Sequence, residues 1–152
     1  MFRGINKVTL DGKSRLLVPA RVREQMQGEA EGRVVVTIDL AERALLLYPL
    51  SAWERVQDTL VNLANVRRDI RTVQRLMIGH ATDLELDGQG RLLLPKPLRE
   101  HAGLGKQIVL VGQGNKVEIW DEANWTERKN SWLDSDAIRT LDELDELNGF
   151  SI

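Results

Sequence analysis

The chain repeats itself. "LDGKSRLLVPARVRE" at residues 10–24 returns as "LDGQGRLLLPKPLRE" at 86–100, and residues 8–24 align with 84–100 without a gap at an offset of 76. Nine of the seventeen positions are identical: Leu10, Asp11, Gly12, Arg15, Leu16, Leu17, Pro19, Arg23 and Glu24 pair with Leu86, Asp87, Gly88, Arg91, Leu92, Leu93, Pro95, Arg99 and Glu100. Beyond this stretch identity fades but pattern persists, because "GRVVVTIDLAERALLLYPLSAWERV" runs parallel to "GKQIVLVGQGNKVEIWDEANWTERK" and aligns Trp53 with Trp125. An internal duplication constrains the fold more than any other feature, since whatever one copy builds the other must build too. The 152 residues suffice for one ordinary domain or for two small halves sharing a core.

Each unit reads strand, Asp-Gly turn, strand, short helix, strand, turn, strand, helix. The apolar, β-branched runs "VVVTI" and "IVLV", bounded by "DLAER" and "GQGN", are strands. The Asp-Gly pairs predict tight hairpins in which Gly12 and Gly88 take the positive φ, with Arg15 and Arg91 at the turn ends. Pro19 and Pro95 lack a backbone donor and should end the strands, ahead of short helices at "ARVREQM" and "PLREHA". Between the units, "SAWERVQDTLVNLANVRRDIRTVQRLM" predicts helix. Ser51 and Glu54 form a capping-box pattern, and an apolar face runs through Trp53, Val56, Leu60, Leu63 and Ala64 and on to Val66, Ile70, Val73 and Met77. "DAIRTLDELDELNGF" predicts a short acidic helix leading into a flexible end.

The residue types present exclude several chemistries. There is no cysteine, hence no disulfide, thiolate zinc site or cysteine nucleophile, and the two histidines, His80 and His101, stand too far apart in sequence to suggest a metal cluster. No serine or threonine forms a recognisable constellation with histidine and carboxylate, so no enzyme is expected. The Gly-x-Gly stretches in "DGQGR" and "VGQGNK" lie between strands and lack the spacing of a phosphate loop. Asp11 and Asp87, each opening a turn, are expected to accept hydrogen bonds from nearby backbone donors rather than to transfer protons. Trp53, Trp120, Trp125 and Trp132 lie away from the turns and suit core or interface packing better than base stacking. Neither a signal peptide nor a membrane span is apparent, so a soluble, intracellular protein is expected, with no cofactor, no small-molecule substrate and no membrane partner.

Charge points elsewhere. The formal net charge is −2, yet residues 134–152 hold Asp134, Asp136, Asp142, Glu143, Asp145 and Glu146 against Arg139 alone, so the first 133 residues carry +3. Within residues 1–25, Arg3, Lys7, Lys13, Arg15, Arg21 and Arg23 face only Asp11 and Glu24. Hairpin packing alone supplies no reason to place arginine after the turn twice. Duplex DNA offers phosphates that match a guanidinium fork and a major groove wide enough for a two-stranded ribbon. Arg23 and Arg99 are as readily surface residues as ligand-binding ones.

The opening "MFRG", the paired Asp-x-x-x-Arg segments "LDGKSRLLVP" and "LDGQGRLLLP", and their spacing resemble the MraZ family of bacterial AbrB-like (SpoVT-AbrB) transcription factors across essentially the whole chain. The resemblance implies an α+β fold, a double-split β-barrel made of two tandem AbrB-like repeats in one chain, with helices after each. Its segments would be residues 5–52 and 81–124 for the repeats, 53–80 for a helical connection, and 125–152 for a C-terminal helix and acidic tail. It also implies a ring-shaped homo-oligomer in the cytoplasm and on the nucleoid, binding direct repeats of double-stranded promoter DNA ahead of the division and cell-wall gene cluster. Carried onto this sequence, the motif makes Asp11, Gly12, Asp87 and Gly88 the turn residues. Arg15 becomes the principal DNA contact, helped by Lys13, with Arg91, Lys7 and Arg3 as further candidates. Gln89 and Gly90 replace Lys13 and Ser14 in the second copy, which makes that loop less basic. A chain with so few phosphate contacts binds weakly alone, and a ring facing repeated sites would convert weak contacts into avidity. The rival reading is an antitoxin-like or scaffold module that engages a partner protein.

Overall fold

The computed structural model describes residues 1–64 and 66–139. Its elements follow the duplicated order. The first copy supplies β1 (Ile5–Thr9), β2 (Arg15–Leu17), α1 (Ala20–Ala30), β3 (Arg33–Ile38), β4 (Leu45–Pro49) and α2 (Leu50–Val61). After α3 (Arg68–His80) come β5 (Thr82–Glu85), β6 (Arg91–Leu93), α4 (Lys96–Ala102), β7 (Gln107–Gly112), β8 (Val117–Asp121), α5 (Glu122–Leu133) and α6 (Asp136–Arg139). The fold is α+β, and every strand pairing in it is antiparallel.

The two copies do not fold side by side; they exchange strands. A six-stranded sheet runs β1-β7-β8-β4-β3-β5, and a separate two-stranded ribbon pairs β2 with β6. Thus β1 leaves its own copy to pair with β7, while its counterpart β5 pairs with β3. Equivalent strands meet at the centre, where Leu16 faces Leu92 in the ribbon and Leu46 faces Glu118 in the sheet. Those pairs lie on a pseudo-two-fold axis, because Leu92 is the repeat partner of Leu16 and Glu118 that of Leu46. The hydrogen-bonded order of the sheet is open, with β1 and β5 at its edges.

The sheet is covered on both faces, which explains its near-continuous apolar runs. One face closes on the ribbon and helices: Val34, Val36, Leu45, Leu47, Ile108, Leu110 and Ile119 pack with Leu16, Leu92, Val18, Leu94, Val22, Met26 and Leu98. Leu16 and Leu92 are fully buried, and each such leucine contributes roughly 1.5–3 kcal/mol by leaving water. On the other face Val35, Leu46 and Tyr48 pack against Ala52, Trp53 and Leu60, with Val73, Met77 and Ile78 beside them. There the buried Thr37 hydroxyl donates to the Met77 carbonyl at 2.6 Å, tying α3 to the sheet. The opening "MFRG" is a strap: Phe2 is buried and exchanges backbone hydrogen bonds with Gly114 at 2.7 and 2.9 Å. Glycine is required at 112 because a Cβ there would run into the backbone of Arg3. These elements form one compact unit from Met1 to Glu122. A second unit starts at Ala123, and in it Trp125 and Trp132 meet edge to face at 6.0 Å between ring centroids.

Several expectations need correction. The connection predicted as one helix is two, because the Asn62 side chain turns back onto the Asp58 carbonyl at 2.8 Å and ends α2. The apolar pattern did not reveal the break, since Leu63 and Val66 prove exposed rather than packed. The Ser51–Glu54 capping box does not form: Pro49 holds the N-cap position, two residues before Ser51 and without a side-chain capping bond, which leaves Ser51 inside the first turn. Helix α1 runs four residues past "ARVREQM" to Ala30, where Glu31 in the left-handed region closes it. Of the predicted acidic helix, Asp136–Arg139 is helical, and residues 140–152 lie outside the described residues.

Candidate nucleic-acid interface

Each Asp-Gly segment forms a compact loop at the root of a ribbon strand. Ser14 donates its N–H to the Asp11 carbonyl at 3.0 Å, and Asp11 donates to the Arg15 carbonyl at 2.8 Å. The second loop repeats this pattern, with Gly90 to Asp87 at 3.0 Å and Asp87 to Arg91 at 2.9 Å. An isolated bridge between Leu10 and Leu16 is as far as the first hairpin extends before β1 and β2 part to join different sheets. The positive φ falls not on Gly12 or Gly88 but on the third loop residue, Ser14 at 63° and Gly90 at 77°. That is the signature of a three-residue loop ending in a left-handed residue, which the Asp-Gly rule for two-residue turns does not describe.

The aspartates organise the loops. Asp11 Oδ1 accepts the backbone N–H groups of Lys13 at 2.8 Å and Arg15 at 3.0 Å, while Oδ2 takes Nε of the Arg15 guanidinium at 3.0 Å. Asp87 does the same with Gln89 at 2.9 Å, Arg91 N–H at 2.8 Å and Arg91 Nε at 2.8 Å. The backbone N–H of the arginine, foremost among these contacts, holds each carboxyl below its usual range, so both are ionised at neutral pH. Arginine therefore does have a structural reason to occur twice, contrary to expectation: its Nε clamps the loop. Nor does it stand at the tip, which is Gly12–Lys13 in the first loop; Arg15 and Arg91 are the first residues of β2 and β6. With Nε committed to the aspartate, the Nη groups of each half-buried guanidinium, 27% exposed in Arg15 and 29% in Arg91, remain as donors that a planar anion can meet.

Pairing of β2 with β6 brings the two loops to opposite ends of one ribbon. Arg15 lies opposite Leu93 and Leu17 opposite Arg91. The loops are also stitched across the repeats, since Leu94 donates to the Ser14 carbonyl and Val18 to the Gly90 carbonyl, both at 3.0 Å. Leu16 and Leu92 point inward, so Arg15, Leu17, Arg91 and Leu93 share the outward face.

The other basic candidates sit elsewhere. Lys7 is on β1 of the large sheet, and its Nζ lies 3.1 Å from Glu122. Arg3, on the N-terminal strap, lines with Arg21 a surface cavity of about 310 Å³. Arg23 and Arg99 serve their own strand ends: Arg23 Nη1 donates to the Val18 carbonyl at 3.3 Å and Arg99 Nε to that of Leu94 at 3.0 Å. Arg23 nonetheless crosses to the other repeat, where its Cδ and Nη1 occupy the space a Cβ on Gly90 would need. With Glu24, Gln27, Gln89 and Asp87 it lines a groove of about 520 Å³ beside the second loop, so the cation reaches that loop together with two carboxylates. Sequence separation hid this contact, as it hid the approach of His80 to His101, whose rings lie 6.2 Å apart. No helix among the described residues is long and apolar enough to cross a membrane.

The family model for MraZ, whose description adds a likeness to antitoxins, matches residues 1–76 and again residues 77–137. The chain belongs to the MraZ family. Two successive matches coincide with the duplication and with the two interlocked halves of the fold. The chain is 50% identical over 133 residues to a protein of Thioalkalivibrio sulfidiphilus, covering 88% of each. It is 44% and 45% identical over all 152 residues, and the full length of both relatives, to proteins of Halorhodospira halophila and Coxiella burnetii. All three MraZ relatives are named transcriptional regulators. A solution structure from Pyrococcus horikoshii aligns with 78% of this chain and 88% of its own at 15% identity, with a TM-score of 0.32, too slight a likeness to bear on the fold.

Proposed function

We propose that this MraZ chain is a sequence-specific DNA-binding transcriptional regulator. In this reading it acts as a repressor of the division and cell-wall gene cluster, in the cytoplasm and on the nucleoid, without cofactor or small-molecule substrate. It binds direct repeats in its own promoter as a ring-shaped homo-oligomer. One observation carries the reading: two aspartate-clamped, half-buried arginines, Arg15 and Arg91, share the outward face of one ribbon, with Lys13 at the tip of one loop. A two-stranded ribbon fits the major groove, and forks fixed in advance lose little entropy on meeting phosphate or guanine. Arg15 and Lys13 are the leading contacts; Arg91 contributes from the second loop, and Lys7 and Arg3 add general attraction. The names of the relatives agree with this role. The fold belongs to the same reading, since strand exchange about a pseudo-two-fold axis is what a double-split barrel of two AbrB-like halves requires.

The test is Arg15→Ala in a gel-shift assay with the fragment upstream of the protein's own coding sequence, with ring size checked by light scattering. Affinity should fall at least tenfold with the ring intact; unchanged affinity with an intact ring removes the mechanism. The antitoxin likeness in the family description supports the rival reading of a protein-interaction module. A stable co-purifying partner together with no specific DNA shift would decide for it.

A further inference from the structure

The ribbon face carries two apolar side chains that phosphate binding does not use. Leu17 is 54% exposed and Leu93 56%, although alternation along β2 and β6 already places Leu16 and Leu92 in the core. The core therefore gains nothing from leucine at 17 and 93. Because Leu17 faces Arg91 and Leu93 faces Arg15, the leucines occupy one diagonal of the ribbon and the arginines the other. An apolar protein surface covering the leucines would also have to desolvate two guanidinium groups. The major groove has no such conflict: it presents phosphate and guanine acceptors for the forks and the C5-methyl of thymine for an apolar side chain. Diagonal neighbours on antiparallel strands lie about 7–8 Å apart. Along the helix axis that span matches about two base-pair steps of about 3.4 Å each.

We propose that Leu17 and Leu93 are specificity residues that contact the methyl groups of two thymines about two base steps apart, on opposite strands as the pseudo-two-fold axis requires. The inference rests on the DNA-binding reading above and adds what that face selects. The probe is the promoter fragment, copied once with dTTP and once with dUTP, which removes every thymine methyl and leaves pairing and backbone charge intact. The wild-type protein should bind the uracil copy about fourfold more weakly per methyl lost, or about fifteenfold for the pair. The Leu17→Ala/Leu93→Ala double variant should bind both copies equally. Equal wild-type binding to the two copies overturns the inference while leaving DNA recognition standing. A double variant that keeps its preference for thymine, or whose rings fall apart in light scattering, overturns it too, the second result marking the face as a contact between copies. Failure of wild-type protein to bind either copy removes the DNA-binding reading, and this inference with it.

Discussion

Replacing Gly90 and Gly88 by alanine, one at a time, separates two descriptions of the same loop. The Asp-Gly rule puts the strained backbone at Gly88, whereas in the structure the left-handed residue is Gly90, at φ 77°. A side chain there costs about 1–2 kcal/mol in backbone conformation. The new Cβ would also displace Arg23 and loosen its 3.3 Å bond to the Val18 carbonyl, worth a further ~0.5–1.5 kcal/mol. Reduced freedom of the unfolded chain returns about 0.4–1 kcal/mol. The net expectation is a loss of about 0.5–3 kcal/mol for Gly90→Ala. Gly88 has open space around its Cβ position and no positive φ, so Gly88→Ala should be neutral or slightly stabilising. The twin position supplies the reverse experiment: Ser14 already bears the strain at φ 63°, and Ser14→Gly should gain up to about 1 kcal/mol. Urea unfolding followed by tryptophan fluorescence at one fixed protomer concentration measures all three, because the assembly proposed above would make the midpoints depend on concentration. A larger loss at Gly88 than at Gly90 would refute the loop geometry.

Three further outcomes are expected. Gln89→Lys restores to the second loop the lysine of the first, and should tighten promoter binding and steepen the dependence of log affinity on log salt by about 0.9; an unchanged slope would show that this loop meets no phosphate. Tyr48 is the sole tyrosine, and burial, with the Asp39 and Glu118 carboxylates adding to it, pushes its hydroxyl up to about 12. Its neutral form thus favours the folded state fully below pH ~10, and the benefit drains away as pH rises toward 12; absorbance titration of the native protein giving an ordinary midpoint would contradict the packing of that sheet face. Truncation after Leu133 removes a net −5 and should raise affinity for random-sequence DNA if the acidic tail repels arbitrary duplexes; no increase would sink that role for the tail.

The positions of the strands were legible in the sequence because "VVVTI" and "IVLV" are apolar runs with turn residues at both ends. Their partners were not. Nothing local in residues 5–9 says that they pair with 107–111 rather than with β2, since an edge strand is satisfied by any well-shaped neighbour. The Asp-x-x-x-Arg motif showed that a loop was being built, and spacing alone could not reveal that the arginine itself ties it down. Sequence alone does not decide the role of Arg23, because its approach to Gly90 crosses between the repeats, a distance only the exchanged topology closes. The exposure of Leu17 and Leu93 is not legible in their sequence, because it follows from the ribbon packing on the sheet through Leu16 and Leu92 and turning its alternate positions outward.

Strand exchange also sets a timetable for biosynthesis. When the first repeat leaves the ribosome it holds β1 and β2 but lacks the strands they pair with, which are completed only at residues 93 and 112. At about 5–20 residues per second, β1 waits several seconds with an open edge. A neighbouring nascent chain on the same message offers the same missing strands. Two ribosomes in tandem could therefore yield a pair of chains laced together, each completing the other's sheet.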